Sequence, residues 1–178
     1  YVLKRRLAIG HEAGGKAVAS WALSVFVGAG AIRSTANDLL MLLGVPLGYT
    51  KSTLAPVMAS MLAVRRPTGT PGLEIALGWH VLTTHGGHAL VCHNGGTGGY
   101  RTYLGLVPSR KMAVVVMTHS TGEGSAYLGM HLLRPAPPLS PQVEPSRTRT
   151  VIPPPPPTPA RPLGASPLHP THPTDRPA

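Results

Sequence analysis

The stretch that decides the fold is "HNGGTGGYRTYLGLVPSRKMAVVVMTH", residues 93 to 119. It contains two apolar runs, at residues 100 to 107 and 111 to 119, and each run follows a short linker rich in glycine or turn residues. Linkers this short join neighbouring strands that pair antiparallel. The stretch therefore predicts consecutive antiparallel strands.

The residues before this stretch continue the same pattern. Strand-like runs lie at residues 76 to 84 ("ALGWHVLTT") and 88 to 94 ("HALVCHN"), joined by "HGG". Four strands in sequence are therefore predicted to form an antiparallel sheet. The run "MAVVVM" is apolar without alternation, which predicts cover on both of its faces by helices.

Three helices are predicted around this sheet. A hydroxyl residue stands directly before residues 36 to 43, and an acidic residue follows it three positions later, which is typical of a helix start. Gly44 and Pro46 then stop the helix. Residues 53 to 64 and 124 to 134 have the spacing of packed helices. The fold class is therefore α+β, with helices packed on an antiparallel sheet.

The uncharged stretch at residues 17 to 32 is shorter than the roughly 20 residues of a membrane span. We predict it to be core, and we predict no transmembrane segment in this chain.

The two ends of the chain differ in composition. Of 21 prolines, 16 lie between Pro135 and Pro177, so residues 135 to 178 are predicted to be a disordered Pro-rich tail. Residues 1 to 134 form the single predicted domain. They carry 12 Lys and Arg against 4 Asp and Glu, a net +8, which suits anionic partners. The charges are scattered without interleaved aromatic residues, so no nucleic acid partner is predicted.

Histidines at 80, 85, 88 and 93 accompany Cys92, a combination that also occurs in zinc sites. Strand alternation places Cys92 and His93 on opposite faces, and no acidic residue lies nearby in the sequence. We therefore predict neither a metal nor a cofactor. Cys92 is interpreted as a small buried hydrophobe.

The segment "HNGGTGG" has two interpretations. Glycine after a histidine leaves an open strip where another molecule can lie against the backbone. The same residues can also form a flexible hairpin whose histidine only ends the strand. Spacing alone leaves both open.

The order of the motifs carries a family resemblance. "GAGAIRSTANDLLMLL", then "LGWHV", then the opening stretch, resembles the C-terminal half of the serine β-lactamase and penicillin-binding-protein superfamily, in its class C-like branch of esterases, peptidases and β-lactamases. The resemblance covers roughly residues 5 to 134. It implies a partial β-lactamase/transpeptidase-like domain and a periplasmic or secreted location.

The resemblance also implies a serine hydrolase that forms an acyl-enzyme on a small-molecule or peptide substrate with an amide, ester or β-lactam bond. "HNG" matches the strand-edge triad of this superfamily. His93 would then supply a donor or a positive charge, Gly95 would leave room for the ligand, and the N–H of Gly96 would complete the oxyanion hole. Asn94 and Thr97 would line the pocket.

Two elements of the superfamily do not occur in this sequence. No serine has a lysine three positions later, and no tyrosine begins a Y-x-N segment. We expect either a truncated hydrolase whose nucleophile lies before Tyr1 or an inactive remnant. The alternatives are a non-catalytic module that binds wall peptide or a protein partner, and a half-domain that does not fold stably.

Overall fold

The computed structural model of the chain describes residues 3–122 and 124–134. A small two-stranded antiparallel ladder comes first, formed by β1 (Gly10–His11) and β2 (Ala17–Val18). Six strands then form one sheet in chain order, each antiparallel to its neighbours. They are β3 (Arg65–Pro67), β4 (Leu73–Ala76), β5 (Trp79–Thr83), β6 (Ala89–Thr97), β7 (Tyr100–Val107) and β8 (Met112–Thr118).

Three α-helices of nine residues accompany the sheet: α1 (Ala36–Gly44), α2 (Ala55–Ala63) and α3 (Ser125–Leu133). The N-cap of α1 is Thr35, whose hydroxyl oxygen accepts a hydrogen bond from the Asp38 N–H at 3.2 Å. This is the capping arrangement that the sequence predicts. In the described part of the chain, no helix has the length and apolar character needed to cross a membrane.

The core lies on both faces of the sheet because successive strand residues point to opposite sides. Leu43 of α1 packs with Val91 and Leu106 on one face. Leu133 of α3 packs on the other face against the side chains of Leu90, Cys92, Tyr103 and Val107. The class is therefore α+β, and helices cover both sides of the central strands as predicted.

Tyr103 is the largest side chain in the α3 layer, and it is 1% exposed. Its ring occupies space that two glycines leave open: a Cβ added at Gly129 would lie 2.5 Å from the Tyr103 Cε1 atom, and one at Gly105 would lie 2.7 Å from it. Close packing of α3 on β7 therefore depends on these two missing side chains.

The Tyr103 hydroxyl is buried without a hydrogen bond of ordinary geometry. The Cys92 thiol is its polar neighbour, and burial raises the pKa of both groups; the charge of the Cys92 thiolate raises that of Tyr103 further. Both groups are therefore protonated in the folded protein at neutral pH.

The sequence predictions for the elements hold in several places, but the strand predicted to end at residue 94 continues to Thr97. The strand at residues 100 to 107 has the predicted bounds, and the two helices at 36 to 43 and 53 to 64 shift by at most two residues. The predicted strand at 76 to 84 is wrong at its start, because the chain turns at Gly78 with φ +76° and begins β5 at Trp79. Short strands β3 and β4 were not predicted, so the sheet has six strands rather than four.

The prediction that residues 17 to 32 form core is wrong. Val25 is 84% exposed, Ile32 is 83% exposed and Trp21 is 57% exposed. The segment contains a 3-10 helix at Ser24–Ala29 with a kink at Phe26, so it presents no continuous helical face to the sheet. The predicted disordered tail, residues 135 to 178, lies outside the described residues.

Candidate active site

All five predicted site residues lie in the second half of β6. The first half, from Ala89 to Cys92, is buried or half-buried. His93, Asn94, Gly95 and Gly96 are exposed, and Thr97 is half-buried. The strand therefore emerges from the core within one residue, at His93.

Strand pairing changes at the same position. β7 pairs with β6 from Val91 to Thr97, whereas the β5 pairing reaches only to Cys92, opposite His80. Among the described residues, the segment from His93 to Thr97 therefore has a strand on one side only. We call this segment the open edge.

The turn after β6 allows the direction of each amide to be inferred. Only Gly98 and Gly99 separate the paired residues Thr97 and Tyr100, so this pair closes a two-residue hairpin. In an antiparallel ladder, residues alternate between bonding to one neighbour and pointing away from it. Counting back from Thr97, we expect the N–H groups of Asn94 and Gly96 to face away from β7, towards the open edge.

His93 stands at the start of the open edge. Its ring centroid lies 6.0 Å from that of His80, with the two rings tilted by 38°. Within residues 3–122 and 124–134, no hydrogen bond joins the His93 ring to a serine, lysine or tyrosine. The imidazole is thus accessible to a ligand, and no described nucleophile is paired with it.

Arg101 is a candidate site residue that the sequence analysis did not identify. It lies opposite Gly96 in the hairpin, and a Cβ built on Gly96 would come within 2.9 Å of the Arg101 Cζ atom. The guanidinium group therefore lies over Gly96, where it can attract a carboxylate. The signal was present, because a two-residue turn fixes which residue faces Gly96.

The turn at the far end of the open edge is held by residues near the N-terminus. The Trp21 ring covers Gly98, since a Cβ there would lie 2.6 Å from Trp21 Cδ1. The Tyr100 hydroxyl donates to the Ala8 carbonyl at 2.7 Å, and Gly10 lies against Gly99. These contacts hold the turn in which the open edge ends.

The remaining histidines of the predicted cluster lie elsewhere. His88 is at the opposite end of β6, with its Nδ1 atom 2.9 Å from the Ser109 hydroxyl. Cys92 is buried, so it is not available at the surface. Among the residues that the structure describes, no three His, Cys, Asp or Glu side chains gather as a metal-binding group.

The six-stranded antiparallel sheet with helices on both faces and an open glycine edge fits the serine-hydrolase-type fold that the family match supports. A model of the Beta-lactamase family matches residues 4–134. The chain belongs to this family, which confirms the resemblance in its sequence and points to small-molecule substrates. No curated protein matches the chain.

Proposed function

We propose that the open edge forms one wall of the acyl-binding pocket of a serine hydrolase. The support is the change along β6 at Cys92, where two-sided pairing gives way to one-sided pairing. Beyond that residue the strand offers backbone donors, exposed glycines and a histidine in a continuous row. A ligand carbonyl can approach such a backbone closely because glycine has no side chain to block it.

The reaction we propose is acyl transfer. A serine oxygen attacks the substrate carbonyl carbon, and the carbonyl oxygen becomes an oxyanion. The N–H of Gly96 donates to that oxygen, where a fixed donor lowers the energy of the developing charge. The amine or alcohol leaves with a proton, and water then releases the acyl group from the serine.

His93 and Arg101 have separate proposed roles at this edge. His93 supplies a hydrogen-bond donor or a positive charge beside the reacting groups. Arg101, with its guanidinium over Gly96, attracts a carboxylate on the substrate. Gly95 leaves room for the ligand, while Asn94 and Thr97 line the pocket.

The proposed nucleophile is not a residue of this sequence. S-x-x-K and Y-x-N elements do not occur in it, so the proposal assigns the serine, lysine and tyrosine to residues outside these 178. The isolated chain is then expected to be inactive. The substrate bond is an amide, an ester or a β-lactam.

The first test is the coding sequence upstream of Tyr1. We expect a continuous reading frame containing S-x-x-K and then Y-x-N, and a protein produced from it should be labelled covalently by a fluorescent penicillin or an activated ester. Replacing the serine of S-x-x-K by alanine should abolish the label. A frame without these elements, or labelling that survives the replacement, would reject the enzyme proposal.

The second test addresses His93 in that longer protein. Loss of a hydrogen bond to a charged group costs about 1.5–3 kcal/mol, so His93→Ala should lower kcat/KM by about 10- to 100-fold. His88→Ala is the matched control, because His88 is exposed and lies just before the first residue of β6, away from the open edge. Wild-type turnover in His93→Ala would contradict the role.

A second candidate function is a non-catalytic module that binds wall peptide or a protein partner along the same edge. The lack of both catalytic motifs in this sequence favours it, and a net charge of +8 over residues 1 to 134 suits an anionic ligand. The test is a titration of the chain with an acyl-D-Ala-D-Ala peptide. Saturable binding that Arg101→Ala weakens would support the module, and no saturable binding would reject it.

A further inference from the structure

A pair of histidines lies at the edge of the molecule where β1 meets the end of β8. The Nδ1 atoms of His11 and His119 are 3.2 Å apart, and the ring centroids are 5.3 Å apart with an interplanar angle of 63°. His119 is exposed and His11 is half-buried. The two Nδ1 atoms therefore face each other at hydrogen-bond distance, and the His11 Nδ1 atom also lies 3.2 Å from the His119 carbonyl oxygen.

The backbone, rather than the side chains alone, holds the two histidines together. The His11 N–H donates to the His119 carbonyl at 2.9 Å, and the Thr121 N–H donates to the His11 carbonyl at 2.9 Å. His11 also bridges Ser120 in a parallel arrangement. The spacing of the two rings is thus set by a short backbone ladder between residues 108 positions apart.

We propose that His11 and His119 bind a divalent transition-metal ion, of which Zn²⁺ is the representative, between their Nδ1 atoms. Zn–N bonds are about 2.0–2.1 Å long, and at a tetrahedral angle two such nitrogens lie about 3.3–3.4 Å apart. The observed 3.2 Å nearly matches this spacing, so the ion can bind when the two rings turn their Nδ1 lone pairs from each other towards it.

The chemistry of the pair distinguishes it from an ordinary hydrogen bond. Without a metal, a proton on the His11 Nδ1 atom has two acceptors at 3.2 Å, the His119 Nδ1 atom and the His119 carbonyl oxygen. When the ion binds, each ring carries its proton on Nε2 and offers the Nδ1 lone pair to the metal. Zn²⁺, Cu²⁺ and Ni²⁺ bind imidazole nitrogen well, whereas Mg²⁺ and Ca²⁺ prefer oxygen ligands.

The site has two protein ligands, because no third ligating side chain joins the pair within residues 3–122 and 124–134. Zinc is almost always four-coordinate, so two water molecules would fill the remaining positions of a tetrahedral ion held by two histidines. An ion bound by both histidines links β1 to the end of β8. Since Gly10 of β1 lies against Gly99, the ion also fixes the turn at the far end of the open edge.

The test is calorimetric titration of the full chain with ZnCl₂, compared with the variants His11→Gln and His119→Gln. Each variant should bind Zn²⁺ at this site at least about tenfold more weakly, since even indirect partners of a metal contribute 10–100-fold. His88→Gln is the control and should bind like wild type. His169 and His172 are present in every protein, so their contribution cancels in the comparison.

A thermal melt gives the second measurement. Zn²⁺ should raise the Tm of the wild-type chain and leave that of the double variant unchanged, while an equal concentration of Mg²⁺ should have no effect. Zn²⁺ affinity in either single variant equal to that of wild type would overturn the proposal, as would an equal shift with Mg²⁺.

If the variants do not fold, imidazole NMR of the wild-type chain decides. Zn²⁺ should then shift the ring ¹⁵N signals of His11 and His119. Shifts confined to other histidines, or no shift, would overturn the proposal.

Discussion

The two halves of β6 share one strand but differ in almost every physical respect. From Ala89 to Cys92 the strand is paired with β5, Val91 and Cys92 are paired with β7 as well, and Leu90 and Val91 are at most 1% exposed. From His93 to Gly96 it is exposed and paired only with β7. The first half carries the core, and the second half leaves backbone donors accessible.

The difference shows how one strand can be both rigid and accessible. The paired half fixes the direction of the strand, so the exposed half is held in position without packing of its own. Preorganised donors are effective in catalysis because they need no rearrangement when charge develops. The proposed role of Gly96 depends on this division of the strand.

The largest expected effect comes from replacing Gly96, whose N–H we infer to face the open edge. In the longer protein with a nucleophile, Gly96→Pro removes one oxyanion donor and should lower kcat by about 100- to 1,000-fold. Gly96→Ala keeps the N–H and should retain more activity, because the added Cβ meets only the flexible Arg101 side chain. Equal kcat values for the two variants would contradict the role of this amide.

In the isolated chain, the stability of Gly96→Pro can be compared with that of Gly95→Pro. The Gly95 amide is expected to bond to β7, so Gly95→Pro should lower the free energy of unfolding by about 1–3 kcal/mol. Gly96→Pro should cost clearly less, since it removes no ladder hydrogen bond. Urea denaturation of both variants measures this difference. A larger loss of stability in Gly96→Pro than in Gly95→Pro would contradict the inference that the Gly96 N–H faces the open edge.

A substitution in the buried layer should be costly where one in the exposed segment is not. Gly129→Ala places a Cβ 2.5 Å from the Tyr103 Cε1 atom, where the two atoms overlap. Such overpacking lowers the free energy of unfolding by about 1–3 kcal/mol. This loss exceeds the roughly 1 kcal/mol of stability that alanine in place of glycine adds to a helix. Gly28→Ala meets no atom within 4 Å and should change stability by less than about 0.5 kcal/mol. Equal denaturation midpoints for the two variants would contradict the packing described for α3.

Alkaline pH should weaken the buried layer through Cys92 and Tyr103. Burial raises both pKa values in the folded state, above 9.0 for the thiol and 10.0 for the phenol in an open chain. The unfolded chain therefore loses these protons first, and the free energy of unfolding should fall as pH rises above about 9. The double variant Cys92→Ala/Tyr103→Phe should show a smaller fall between pH 8 and 11, and an equal slope would exclude these two groups as the cause.

A small effect is expected from Tyr103→Phe at pH 7. The hydroxyl is buried without an ordinary hydrogen bond, so its removal relieves a desolvation cost while the ring keeps its packing. The free energy of unfolding should stay within about 1 kcal/mol of wild type or rise. A loss beyond that in urea denaturation would mean that the hydroxyl has a stabilising partner.

Much of the fold could be predicted from local patterns. The apolar run of β7 and the glycines before it predict the central hairpin, although not its two-residue turn, and hydroxyl capping at Thr35 determines the start of α1. Strands β3 and β4 were missed because they have three and four residues with turn-forming neighbours. Pairing with β5 makes them strands, and a local pattern does not contain that pairing.

The candidate site was predictable in part. The row from His93 to Thr97 could be found from its glycines and from the family resemblance. Predicting Arg101 as a candidate site residue required the register of the hairpin. Predicting the exposure of Trp21 and Val25 required knowing that no regular element would bury residues 17 to 32. Apolar composition alone indicated core there, and tertiary structure decided otherwise.

The most direct test of the open edge is residue-resolved amide hydrogen exchange along β6 of the full chain. We predict continuous protection from Leu90 to Cys92 and then alternation, with the Gly95 and Thr97 amides protected and those of Asn94 and Gly96 exchanging fast. Uniform protection through Thr97, or a slowly exchanging Gly96 amide, would contradict the account.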